Sequence, residues 1–196
     1  MSSERQGAIR AAVRVASGIA FEMAPSRLAL ADDAEALFLF LSDPKIHGPI
    51  YNLPKPLTLE SVRLFIEQKL LERTSGEGLL LLRFDETGAV LGYSEFDIWP
   101  EWGAGELGGA IRADHQGQRV GIQGAERSFS WMFETLDLEL ICETAALDNI
   151  RTAKLLDHIG FERKGEIVSM RPDGSKRESL VWELTRQQWR QRQAQN

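Results

Sequence analysis

One cysteine stands in 196 residues. A single thiol, Cys142, excludes an intramolecular disulfide framework and a thiolate zinc site. Its place inside the apolar run LELICETAAL makes it a core residue rather than a nucleophile. Histidine is scarce as well: His47, His115 and His158 fall without metal-ligand spacing, so no metal is expected. A basic surplus is missing. The net charge of −6 and a pI of about 5.2 remove support for nucleic-acid binding through a cationic face and suit a cationic partner better. No apolar run approaches the length of a membrane span, so no membrane partner is expected. Arg5, Arg10 and Arg14 ahead of VASGIAF resemble an export signal, but the apolar run is seven residues long and Glu22 follows it. Residues 1–24 are therefore read as an N-terminal arm or an extra strand, and the cytoplasm as the compartment. What remains is ordinary for a single globular domain over residues 1–196: 43% apolar and 27% charged.

Periodicity supplies the elements. Leu30, Ala34, Leu37, Phe38 and Leu41 recur at helical spacing up to Pro44. A strand is expected just before them, at GIAFEM or at SRLAL. After the proline-rich HGPIYNLPKPL, Thr58 is placed to cap a helix with Val62, Phe65, Ile66 and Leu70 on one face. GLLLLRF, DETG and AVLGYSEFDIW read as a β-hairpin, followed by the loop WPEWGAG and the short strand ELGGAIRA. A helix with Ile122, Ala125, Phe129, Met132, Phe133 and Leu136 on one side leads to the strand LELICETAAL. Asn149 or Asp148 caps the helix NIRTAKLLDHIG, which Gly160 stops. FERKGEIVSM, RPDG and SKRESLVWEL form a closing hairpin, and the polar tail at 190–196 is expected to fray. Strand, helix and strand from Glu106 past Leu138 make a βαβ unit. With antiparallel hairpins on both sides, the fold class is α/β with a mixed sheet, not a doubly wound parallel one.

The stretch HQGQRVGIQGAE, from His115 to Glu126, runs from the first strand of that unit into its helix. There the first N–H groups lack intrahelical partners, and the helix dipole adds partial positive charge. Gly117 and Gly121 permit close approach of an anion. The spacing of these glycines is neither the dinucleotide fingerprint nor a P-loop, and an ordinary turn fits the same residues.

The segment after the next strand bears on that choice. Asn149, Thr152, a leucine pair, Gly160 and Phe161 stand in the order of the N-x-x-(S/T) … G-F segment of the GNAT acyltransferases, which this chain resembles. Gln116-Gly117-Gln118-Arg119-Val120-Gly121 is similar to that family's (Q/R)-x-x-G-x-(G/A) pyrophosphate motif at its first and last positions and departs from it at Arg119. ELGGAI resembles the corresponding strand of the Rim-type branch, which acetylates ribosomal-protein N-termini. SDPKIHGPI, LTLESVRLFIEQ and the closing hairpin are similar to that branch as well. The likeness runs from about Arg27 to Trp189.

The resemblance implies a mostly antiparallel central sheet with one splayed parallel strand pair, flanked by helices. It also implies acetyl-CoA as co-substrate, held between the two strands. Ala110 and Ile111 would offer backbone groups to the pantetheine arm, and Gln116, Gly117, Gln118, Arg119, Val120, Gly121 and Ile122 would cradle the diphosphate. Asn149 would bond the arm, and Thr152 would approach the thioester sulfur. A primary amine attacking the thioester must first lose a proton. Glu106 is the candidate base, directly or through water; a strand-end carboxylate in solvent is its other reading. Relatives place a tyrosine acid where Leu155 and Leu156 stand here, so either Thr152 assists the leaving thiolate or it departs unaided. Glu95, Asp97 and Trp99 share one face of their strand and are candidates for the acceptor, a peptide or small-molecule amine; a solvated face over packed tryptophans is the alternative. Relatives often pair as homodimers. A non-catalytic CoA-binding sensor or scaffold is the rival function, supported by Arg119 and the absent tyrosine.

Three readings of Arg119 are open: a guanidinium on the outer face of the turn that adds a cation near the CoA phosphates, a Cβ in the ligand's path, or a shifted loop; Gly117 and Gly121 on either side favour the first. Arg119→Gly is expected to retain CoA binding with modestly lower affinity by calorimetry; much tighter binding by the glycine variant would make Arg119 an obstruction.

Overall fold

β-Branched and leucine-rich runs punctuated by glycine turns lay down the sheet on which every other element packs. The computed structural model describes residues 1–22, 24–50, 52–115, 120–170 and 174–195. In chain order the elements are α1 (Ser3–Val15), β1 (Ser26–Leu28), α2 (Ala34–Leu41), α3 (Pro44–His47), α4 (Leu59–Ser75), β2 (Gly78–Phe84), β3 (Val90–Trp99), β4 (Ala104–Ile111), α5 (Val120–Glu134), β5 (Leu140–Ala146), α6 (Ile150–Ile159), β6 (Glu162–Met170), β7 (Lys176–Thr185) and α7 (Arg186–Gln193). The strands form one mixed sheet in the order β1-β2-β3-β4-β5-β7-β6. All neighbouring pairs are antiparallel except β4 with β5. This is the mixed, mostly antiparallel architecture expected from the sequence.

Strand alternation splits the core in two. Leu79, Leu81, Phe96 and Ile98 meet α1, α5, α6 and α7 on one face. Leu80, Leu82 and Tyr93 meet α2 and α4 on the other. Helix ends are set by local chemistry: Thr58 accepts from the Ser61 amide at the start of α4, Asn149 accepts from the Thr152 amide at the start of α6, and α6 stops at Gly160 with φ +94°.

The functional consequence lies between β4 and β5. Their parallel pairing covers only Ala104 with Leu140 and Gly105 with Ile141. β5 continues against β7 as far as Ala146, and β4 continues against β3 as far as Ile111, so the two parallel strands diverge. Gly109, with φ +151°, sits in the diverging part of β4, and a Cβ there would lie 2.4 Å from the Tyr93 carbonyl oxygen. That close crossing admits only glycine.

Three expectations are corrected. Residues expected as an arm or extra strand form the helix α1. Ile9 and Val13 are fully buried, and Arg5 and Arg10 pair with Glu139 and with Glu77 and Glu101. Its three arginines all lie on this helix. Within the tail expected to fray from residue 190, residues up to Gln193 continue helix α7, which Thr185 and Gln188 cap reciprocally at its start. Cys142, expected in the core, is half-buried; it shares a phase of β5 with Thr144 rather than with the buried Ile141 and Ala145.

Because α1 contributes fully buried side chains, Ile9→Ala is expected to lower unfolding free energy by about 2–5 kcal/mol. Urea denaturation checks this, and an unchanged midpoint would show that α1 is dispensable to the core.

Candidate active site

Where β4 and β5 part, each strand strands backbone N–H groups that a sheet neighbour would have satisfied. Two carboxylates answer them reciprocally. Glu143 of β5 reaches across the gap, and its Oε1 accepts from the Leu107 amide of β4 at 2.9 Å. Glu106 of β4 reaches back, and its Oε1 accepts from the Thr144 amide at 3.1 Å and hydroxyl at 2.8 Å. Alternation puts the two on opposite faces. Glu106 lies opposite Asp97, on the α4 side, and Glu143 shares the phase of Ile141 and Ala145, on the α5 side. Burial raises the Glu106 carboxyl above the ordinary range, the Thr144 hydroxyl opposes that, and the charge of Asp97 adds to it. Burial raises Glu143 well above the ordinary range, with the charge of Glu106 reinforcing it.

Beside the gap on the α4 side lies an ionic cluster. Lys69 of α4 is 6% exposed. Its Nζ lies 2.8 Å from Glu72, 2.8 Å from Glu95 and 2.6 Å from Asp97. Burial alone would lower the ammonium pKa, but Glu95 and Asp97 overcome that and hold it above its ordinary value. Asn52 donates to the second oxygen of Glu95 at 2.9 Å. Tyr93, next along the same face, is buried with its hydroxyl unbonded among the described residues, and burial raises its pKa.

A cavity of about 400 Å³ runs through the gap and joins the two faces. It brings together Glu106, Thr152, Asp97, Ala110, Ile111, Val120, Gly121 and Asn149. It does not bring in all the candidates. Glu95 is consumed by Lys69 and Asn52 beneath the cavity. Trp99 lies outside the lining, packed on Trp102 with ring centroids 6.2 Å apart. Ile122 is also outside the lining. Gln116, Gly117, Gln118 and Arg119 lie outside the described residues.

Glu143, Thr144, Tyr93 and Lys69 were not candidates on sequence. For Glu143 the signal was present: a carboxylate stands in the apolar phase of β5, between Ile141 and Ala145, where only a partner across the gap accounts for it. Lys69 carried no comparable signal, because a lysine on an amphipathic helix normally faces water.

The arrangement offers a desolvated carboxyl at the gap, a second carboxylate opposite it, a threonine in the first turn of α6, and backbone donors of β4 turned toward the opening. It suits proton removal from a cationic group beside an electrophile held between the strands.

A family model described as an acetyltransferase (GNAT) domain matches residues 27–162. No curated protein matches the chain significantly by sequence. Among solved structures, the ribosomal-protein-S5-alanine acetyltransferase from Vibrio fischeri is 18% identical, covering 89% of this chain and 99% of its own, with a TM-score of 0.73. An acetyltransferase from T. thermophilus is 20% identical, covering 92% and 95%, with a TM-score of 0.75. Mycobacterium smegmatis RimJ in complex with CoA-disulfide is 15% identical, covering 87% of each chain, with a TM-score of 0.71. At such identities the likeness is one of fold.

Glu143 is held neutral more strongly in the folded than in the unfolded chain. Its contribution to stability is therefore full below the unfolded carboxylate pKa and is lost as pH rises through the elevated folded value. Glu143→Gln, which keeps an oxygen for the Leu107 amide, is expected to melt near the parent at pH 5 and above it at pH 8. A stability difference between variant and parent that does not grow with pH would contradict this reading of Glu143.

Proposed function

Because the chain belongs to the GNAT acetyltransferase family, and is thereby an N-acetyltransferase with acetyl-CoA as co-substrate, we propose that it acetylates a primary amine by direct attack on the thioester, with Glu106 as the base. The observation that carries this reading is the Glu106 carboxyl, desolvated at the mouth of the gap with Asp97 opposite it. A protonated amine entering from the α4 side meets these two carboxylates. Glu106, directly or through a water, takes the proton and leaves the nitrogen lone pair free. The nitrogen adds to the acetyl carbonyl, and the negative charge that develops on oxygen requires a donor. The amides that β4 turns toward the gap beyond Leu107, whose own N–H is taken by Glu143, are the candidates. Collapse of the intermediate breaks the C–S bond and expels the CoA thiolate, a comparatively good leaving group, and the second proton that the nitrogen loses ends on the sulfur as the CoA thiol. Thr152 and Asn149 line the cavity, and this reading gives the sulfur contact to Thr152 and the pantetheine arm to Asn149. Ala110, Ile111, Val120 and Gly121 line the rest of the same path.

The acceptor is read as a peptide N-terminus, a polyamine or another small amine. Asp97 is the acceptor-side residue that lines the cavity, and it shares the Lys69 ammonium with Glu95. The ribosomal-protein-S5-alanine acetyltransferase fold-relative favours a peptide amine among these.

A thiol-release assay with acetyl-CoA and a panel of peptide and small amines tests the proposal. Glu106→Gln is expected to lower kcat by about 10²–10⁴ with little change in the KM for acetyl-CoA. The parent kcat/KM is expected to rise with pH along a limb displaced above the ordinary carboxylate range, as the elevated Glu106 deprotonates, and that limb disappears in the variant. Full activity of Glu106→Gln would remove Glu106 from the mechanism.

A further inference from the structure

On the α5 side of the sheet, the cavity ends against a cation that no carboxylate answers among the described residues. Arg83 of β2 shares the phase of Leu79 and Leu81. Its guanidinium lies over the Phe21 ring at 4.4 Å. A Cβ at Gly92 would come within 3.1 Å of its Nη2, so the side chain crosses β3 where that strand has no side chain. Gly92 pairs with Arg83 on one flank and with Ile111 on the other. The row points from β2 toward the end of β4, and Arg83, Ser94, Ile111, Val120 and Gly121 line the same cavity.

Among the described residues, Arg83 has no hydrogen bond or ion pair. The nearest acid along its strand, Asp85, is engaged by Arg112 at 2.7 Å and by Thr87. Burial lowers the pKa of the Arg83 guanidinium, with no opposing charge. A partly desolvated guanidinium without a counter-charge is unfavourable unless a ligand supplies one. Its planar fork matches phosphate oxygens, and the first turn of α5 adds N–H groups of the same sign at the same end of the cavity.

We propose that Arg83 is an additional phosphate-binding residue for acetyl-CoA, supplied by β2 rather than by the loop that precedes α5. The inference rests on acetyl-CoA being the co-substrate. Phe21, which stacks on the guanidinium, precedes the residues matched by the family model, so this platform combines a family strand with a segment outside the matched region.

Steady-state kinetics with three thioesters test it: acetyl-CoA, acetyl-dephospho-CoA, which lacks the 3′-phosphate, and S-acetylpantetheine, which has no phosphate. Arg83→Gln is expected to raise the KM for acetyl-CoA about tenfold or more, leaving kcat and the KM for S-acetylpantetheine unchanged. An equal rise with acetyl-CoA and acetyl-dephospho-CoA assigns Arg83 to the diphosphate, and a rise with acetyl-CoA alone assigns it to the 3′-phosphate. A rise that extends equally to S-acetylpantetheine, or no rise at all, overturns the proposal. If Arg83→Gln does not fold, Arg83→Lys keeps the charge and loses the fork. Its expected KM rise is smaller and again confined to the phosphate-bearing thioesters, and a rise shared by S-acetylpantetheine overturns the proposal. A parent enzyme inert toward all three thioesters would overturn the acetyl-transfer reading together with this one, whereas normal parent turnover with an indifferent Arg83→Gln overturns the role of Arg83 alone.

Discussion

Two parallel strands that separate inside a sheet leave peptide groups without partners, and in this protein everything at the cavity follows from how those groups are satisfied. Glu143 takes the Leu107 amide and Glu106 takes the Thr144 amide, one on each face. A gap lined only by apolar side chains would bury unsatisfied donors, at a cost of about 1–3 kcal/mol each. A closed ladder would leave no room for a thioester. The crossed carboxylates let the strands stay apart with their amides bonded, and they place two acidic groups where an acyl group would pass. The neighbouring sheet pairs run on without such a break, which confines the opening to this one seam.

The electrostatics divide along the same seam. On the α4 side, Lys69 answers Glu95, Glu72 and Asp97 together, so a crowd of carboxylates is tolerated where an ammonium acceptor would arrive. On the α5 side, Arg83 and the start of α5 line the cavity. The cavity lining thus mixes Asp97 and Glu106 with Lys45 and Arg177, and carries Arg83 on the α5 face.

Much of this was legible in the sequence. The βαβ unit, the flanking hairpins, the caps at Thr58 and Asn149 and the stop at Gly160 followed from local rules that depend on few neighbours. Glu106, Asp97, Asn149 and Thr152 were found through strand phase and the resemblance, and the cavity does gather them. What stayed hidden depends on distant contacts. Nothing local distinguishes Lys69 from a solvated helix lysine, or Glu95 from its neighbour Asp97, until α4 is docked on β3. The polar face of α1 looked like an arm because its salt-bridge partners lie from 67 to 134 residues away along the chain. Arg83 was passed over because its meaning comes from an absence, the missing side chain at Gly92 on the adjacent strand. Glu143 is the instructive case, since a carboxylate in the buried phase of LICETAA was visible without any structure.

The bond from Thr144 to Glu106 has a mechanical side. Oε1 of Glu106 already accepts two bonds from Thr144, which leaves Oε2 as the oxygen for proton traffic. A proton arriving there withdraws charge from the whole carboxyl and weakens its hold on the β5 backbone. Basicity and the width of the gap are then properties of one side chain. The same carboxyl that is raised in pKa by burial is therefore also the clip that holds the β5 backbone at Thr144.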